Sequence, residues 1–137
     1  MQLTRHRLLR SLRAVSQVAL GAFLLSAGAS HLTVSRLEFQ AQVPTWLLLD
    51  PDFVVVSSGV VEILLGLALI TLWPIRKRVG IVTALFFVAI FPGNINQFVN
   101  GIDAFGLNSD AARATRLLFQ PLLVLWALWA TEAVRRR

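Results

Sequence analysis

The sequence predicts an all-α membrane protein whose four transmembrane helices form an up-down bundle, with both termini in the cytoplasm. Apolar residues make up 56% of the 137-residue chain, whereas soluble domains contain roughly 45–50%. Four apolar windows approach the roughly 20 residues that cross a hydrocarbon core. Ten of the 13 Lys and Arg residues lie in three short clusters outside these windows. A chain of this length has room for one domain, which we assign to residues 1–137.

The first predicted span covers residues 14–32 and follows four arginines within residues 5–13. Because Lys and Arg are enriched on the cytoplasmic side, this segment places the N terminus in the cytoplasm. The basic start and the small residues at 27–30 are also typical of a cleaved secretory signal. We favour a span, because the apolar run continues to Leu32 and the later helices need a first partner.

The remaining predicted spans cover residues 53–73, 79–99 and 115–134. Basic residues at 76–78 and 135–137 place the intervening turn and the C terminus in the cytoplasm. The opposite segments, 33–52 and 100–114, hold five of the seven acidic residues and face the periplasm or cell exterior. Because it contains a proline and a tryptophan at 44 and 46, we expect the first outer segment to lie on the membrane surface.

Glu62 lies about ten residues into the second span. An ionised carboxylate near the bilayer centre costs at least roughly 2.5 kcal/mol, so this side chain must face the bundle. Ser58, Gly59 and Gly66 are three or four residues away and share its helix face. This stripe is either a close-packed seam around a protonated or hydrogen-bonded Glu62, or part of a ligand or proton site.

Polar and small residues also follow one face of the first helix. Gln17, Gly21, Gly28 and His31 are spaced by four, seven and three residues, and His31 lies near the outer end. An interfacial histidine is often a surface or capping residue. Here the matching depth of Glu62 offers an alternative, in which the carboxylate holds the imidazole protonated.

The third span contains Pro92 and Gly93, which remove a backbone donor and loosen the helix. We expect a kink or break there, with residues 94–96 turned toward the bundle interior, because irregular backbone facing lipid would leave polar groups unpaired. Asn94 either caps a resumed helix or satisfies the freed backbone groups.

The fourth span begins with three polar residues on one face, Arg113, Arg116 and Gln120, at spacings of three and four. We expect Arg113 to extend outward toward the headgroups, because its long side chain can reach them. Arg116 and Gln120 lie deeper.

The topology places five polar residues at comparable depths in the outer half of the bundle. They are His31, Glu62, Asn94, Arg116 and Gln120. We expect a buried polar or ligand-binding site there, which can orient a small polar headgroup or be wholly structural. An ion pair between Arg116 and Glu62 would neutralise two costly charges. Alternatively, Arg116 binds Asp103 or Asp110 of the second outer segment and Glu62 stays protonated.

Five motifs along the chain resemble the successive signatures of the DoxX-like family of small bacterial membrane proteins. They read AGASH at 27–31, VPTWL at 43–47, SGVVEILLG at 58–66, FPGN at 91–94 and RLLFQ at 116–120. The resemblance implies a four-helix membrane bundle and implies that His31, Glu62, Asn94, Arg116 and Gln120 are recurrent polar positions. The sequence departs from the pattern at Leu48, where a second proline is frequent, and at Gly93, where alanine is common.

The composition narrows the function. The chain has no cysteine, which excludes a thiolate metal site or dithiol relay, and no recognisable haem ligand pair or nucleophile triad. Its clustered basic residues indicate topology rather than nucleic-acid binding. We therefore expect a non-catalytic subunit or assembly factor in the bacterial cytoplasmic (inner) membrane, with a membrane-protein partner or a second copy. The alternative is a subunit of a membrane oxidoreductase that binds a quinone or another small lipid-like ligand.

Overall fold

The computed structural model describes residues 1–104 and 106–134, which form helices joined by short connections and contain no β-strand. The helices are α1 (Gln2–Leu32), α2 (Arg36–Gln42), α3 (Pro51–Thr71), α4 (Arg76–Val99) and α5 (Asp110–Ala130), with a short 3-10 helix at Trp73–Ile75. The predicted C-terminal basic cluster, Arg135 to Arg137, lies outside the described residues.

Three helical segments are long and apolar enough to cross a membrane, as judged by length and composition: Gln2–Leu32, Pro51–Thr71 and Trp73–Val99. The chain is therefore described as a membrane protein. Helix α5 is not among the three, because Arg113, Arg116 and Gln120 make its first half more polar. Its assignment as a fourth span stays a prediction.

The helix ends differ from the predicted windows where capping residues extend them. Helix α3 begins at Pro51, where the Asp50 side chain accepts a hydrogen bond from the Asp52 N–H. Helix α5 begins five residues earlier than predicted, because the Ser109 hydroxyl accepts a hydrogen bond from the Ala112 N–H. Helix α1 continues to Gln2 through the basic segment. Helix α2 was not predicted.

Helices α1 and α3 pack closely along a seam of four glycines. A Cβ on Gly28 would lie 2.6 Å from the Gly59 carbonyl oxygen, and one on Gly66 would lie 2.6 Å from the Gly21 carbonyl oxygen. Beyond Gly21 and Gly66 along this seam, the Gln17 amide donates a 2.7 Å hydrogen bond to the Leu69 carbonyl. Small residues thus bring the two backbones into contact, as in membrane helix pairs.

Glu132, just after α5, ties this helix to α1 and α4, because its carboxylate binds Arg13 at 3.0 Å and Arg76 at 2.7 Å. Glu132 has a positive φ of 57° and ends helix α5 where glycine is usually preferred. The Ala133 N–H donates to the Leu128 carbonyl at 3.0 Å, which completes the helix cap.

The outward faces of the long helices are strongly apolar. Leu64 on α3, Leu85 on α4 and Leu125 on α5 each expose about 60% of their surface. The core is small and includes Leu24 and Phe87, which are almost fully buried. Large apolar side chains thus lie on the surface rather than in the core. This fits a lipid environment, where apolar side chains gain little from burial in protein.

The sequence predicts a kink or a break at Pro92 and Gly93. The break does not occur, because α4 runs from Arg76 to Val99 through both residues. The kink stays a prediction. A single proline removes one backbone hydrogen bond, and the helix continues beyond it. Asn94 does face the interior, with 6% of its surface exposed.

Candidate functional site

A partly open pocket of about 530 Å³ lies between the helices, within the size range of small-molecule sites. All four long helices, α2 and the segment after α2 contribute to its walls. Most of the lining is apolar and includes Phe23, Ala27, Val54, Phe87, Ile90 and Leu123. Polar side chains reach it from each of the four long helices: His31 from α1, Ser58 and Glu62 from α3, Asn94 from α4 and Arg116 from α5.

The first polar wall is formed by His31 with Ser58 and Glu62. The imidazole Nδ1 lies 3.2 Å from the Ser58 hydroxyl and 3.4 Å from Glu62 Oε2. Gly59 permits this arrangement, because a Cβ there would lie 2.8 Å from the His31 Cβ. The ring of Phe39 packs edge-on against the imidazole, with 3.5 Å between ring centroids. The glycine seam therefore brings the imidazole to the carboxyl group.

Glu62 is buried, and its Oε2 atom has no hydrogen-bond partner within the described residues. The nearby His31 Nδ1 makes an electrostatic contact without hydrogen-bond geometry. A proton on either group leaves the pair neutral overall, as imidazolium with carboxylate or as imidazole with carboxylic acid. The wall can therefore hold or exchange one proton, or donate a hydrogen bond to a ligand.

The second polar wall is organised by Gln120. Its amide nitrogen donates a 2.6 Å hydrogen bond to the Phe87 carbonyl. Its Oε1 atom accepts hydrogen bonds from Arg116 Nη1 at 3.2 Å and from Asn94 Nδ2 at 3.5 Å. Gln120 thus sets the positions of Asn94 and Arg116, although it does not itself line this pocket.

Neither predicted pairing of Arg116 occurs. It forms no ion pair with Glu62, which contacts His31 instead, or with any other carboxylate of the described residues. The acids of the second outer segment bind Arg113, with 2.8 Å to Asp103 and 3.0 Å to Asp110. Arg113 extends toward this outer segment, as expected, but its side chain is buried against the segment rather than exposed.

Helix α2 and the segment after it cover one side of the pocket. Arg36 binds Asp52 through two 2.6 Å hydrogen bonds, which fasten α2 to the start of α3. The Gln42 amide donates to Gln97 Oε1 at 2.7 Å, and the Gln42 carbonyl approaches Gly93 closely. Sequence reasoning missed Gln42 and Gln97. Gln97 follows Asn94 by three residues, so its helix position was the available signal.

The structure therefore brings four of the five predicted residues to one pocket: His31, Glu62, Asn94 and Arg116. Gln120 lies behind the wall and holds two of them. Whether the pocket binds a ligand stays a prediction.

Comparison with known proteins finds no matching curated protein and no matching solved structure. One family model matches residues 20–131. The match includes both polar walls, the second part of α1, and the whole of α3, α4 and α5. The resemblance to the DoxX-like family stays a prediction. Since the match covers well over half of the chain, the protein belongs to the family described as Domain of unknown function (DUF8561).

Proposed function

We propose that this protein is a four-span membrane protein that binds one small lipid-like molecule, such as a quinone, in its outer-half pocket. It acts as a non-catalytic subunit of a complex in the bacterial cytoplasmic membrane. The observation that carries the proposal is the pocket itself, which is about 530 Å³ and apolar, with polar side chains from all four long helices. Apolar walls with a few convergent polar groups are typical of small-molecule sites.

The four-span topology is supported by the environment of α5. This helix has 21 residues, which gives a length of about 30 Å. Neither of its arginines has to face lipid, because Arg113 binds two acids and Arg116 faces the pocket. The positive-inside rule then supports cytoplasmic termini.

An assembly factor of the DoxX-like type is the second candidate. The helix glycines offer little support for docking, because Gly21, Gly28, Gly59 and Gly66 pack against each other's helices. The favourable observation is a set of exposed apolar side chains on the outer segment: Val34, Leu37, Trp46, Leu48 and Leu49. They can contact a membrane-protein partner, a second copy or the headgroup region.

The test is purification in a mild detergent, followed by mass spectrometry of extracted quinones and lipids and of copurified proteins. We expect near-stoichiometric recovery of one lipid-like species from the native protein. Ala27→Trp fills the pocket and should abolish this recovery. Ala29→Trp is the matched control, because Ala29 is exposed on the same helix and should retain the ligand. Equal recovery from all three proteins, or none from the native protein, would contradict ligand binding.

A further inference from the structure

We propose that the pocket selects an amphiphile whose polar end is an oxyanion, a carboxylate or a phosphate, bound by Arg116. This inference rests on the proposed function and specifies the chemistry of the ligand. The observation behind it is that the Arg116 guanidinium faces a mostly apolar pocket and forms no ion pair with a carboxylate of the described residues.

Arg116 lacks an internal counter-ion among the described residues. Its hydrogen bond is to a neutral acceptor, Gln120 Oε1, at 3.2 Å. The acids nearest along the chain, Asp103 and Asp110, bind Arg113. Because an arginine side chain in an apolar setting is costly unless paired, an anion bound in the pocket would lower the free energy of the complex.

Arg116 is also held in place before any ligand binds. Gln120 is nearly fully buried and is anchored by its 2.6 Å hydrogen bond to the Phe87 carbonyl. Its Oε1 atom engages Nη1 of the guanidinium, which leaves further N–H donors available. The planar guanidinium group can donate to two oxygens of a carboxylate or phosphate at once. The Asn94 side-chain amide, which shares the Gln120 Oε1 acceptor with Arg116, is a further donor beside it.

Glu62 lines the same pocket, but its carboxyl group contacts His31, which lies 3.4 Å away on the same polar wall. When this pair carries one proton it is neutral overall, and the guanidinium is then the unmatched charge among the described lining residues. The remaining walls suit an alkyl chain, because Phe23, Val54 and Leu123 offer only apolar contacts. The lining therefore fits a chain that carries one anionic end.

The experiment measures binding of three probes to the full-length protein in an uncharged detergent, by native mass spectrometry and thermal shift. Dodecyl phosphate has both chain and anion, dodecanol has the chain alone, and inorganic phosphate has the anion alone. We expect dodecyl phosphate to bind about tenfold to a hundredfold more tightly than dodecanol. Arg116→Gln should remove this preference, so that dodecyl phosphate and dodecanol bind the variant with similar affinity. Arg116→Lys, which keeps the charge, should retain part of the preference.

The outcomes separate the two proposals. Equal affinity of the native protein for dodecyl phosphate and dodecanol would overturn the oxyanion inference and leave the lipid-like pocket intact. Failure of both chain-bearing probes to bind would overturn the pocket as well. If inorganic phosphate bound as tightly as dodecyl phosphate, the site would take a free anion rather than an amphiphile. Because the native protein alone gives these comparisons, poor folding of a variant does not prevent the test.

Discussion

Alanine at Gly28 should force helices α1 and α3 apart. A Cβ there would lie 2.6 Å from the Gly59 carbonyl oxygen and 2.8 Å from Ile63 Cγ1, whereas ordinary contacts begin at 3.4 Å. The nearest atom belongs to backbone, so a rotamer change cannot relieve the overlap. Overpacking costs about 1–3 kcal/mol, and replacing a helical glycine by alanine recovers up to about 1 kcal/mol. Two of the three nearest atoms belong to backbone, so the overpacking cost lies in the upper part of this range, and we expect a net loss of about 1–2 kcal/mol.

This loss corresponds to a fall in the melting temperature of about 3–8 °C, measured by tryptophan fluorescence in detergent. Gly93→Ala is the matched control, because Gly93 also lies within a helix and its new Cβ would meet no atom closer than the Gln42 carbonyl oxygen, at 3.3 Å. The control should lose less stability than Gly28→Ala. A melting temperature for Gly28→Ala equal to or above that of the native protein would refute the close-packed seam.

Three further predictions concern topology, pH and the outer segment. A reporter fused after Lys77 should indicate the cytoplasm and one after Asp103 the outer side; a cytoplasmic signal at Asp103 would exclude four spans. A hydrogen bond from Arg76 holds the pKa of Glu132 below its ordinary value, so this contribution to stability is present above about pH 4.5 and is lost as the pH falls through the lowered pKa. Glu132→Gln should therefore flatten the acid limb of a melting-temperature profile, and an unchanged limb would contradict this. Arg113→Ala should cost about 1–2 kcal/mol and speed amide hydrogen exchange at residues 100–109; unchanged exchange would show that Arg113 does not hold this segment.

The burial of the site residues could be predicted from the sequence, because the cost of placing a polar side chain in hydrocarbon depends on that residue alone. Glu62 and Asn94 are costly in hydrocarbon, and both are buried, with 4% and 6% of their surfaces exposed. Helical spacing likewise placed Gly28 on the face of His31, and Gly59 on the face of Glu62. These properties depend on chain-local periodicity and on the depth of a residue within an apolar window.

The sequence offered a contact between His31 and Glu62 as one alternative, and the two groups do lie 3.4 Å apart. The partners of the arginines did not follow, because they depend on small differences in helix approach and rotation. Arg113 and Arg116 are less than one turn apart, and only packing decides that the outer acids bind Arg113. Helix α2 has only seven residues, too few for a reliable periodic signal. It is held by contacts with α3 and α4 that are distant in sequence.

The sequence by itself determined the helical class, the apolar segments and the faces that carry polar residues, because hydropathy and a period of 3.6 residues act locally. The tertiary structure decided that Glu62 contacts His31 rather than Arg116, that Gln120 positions Arg116, and that a pocket remains between the two polar walls. These features arise where glycine backbones permit one pair of helices to approach within contact distance, and such an approach is a property of two surfaces together rather than of either helix alone.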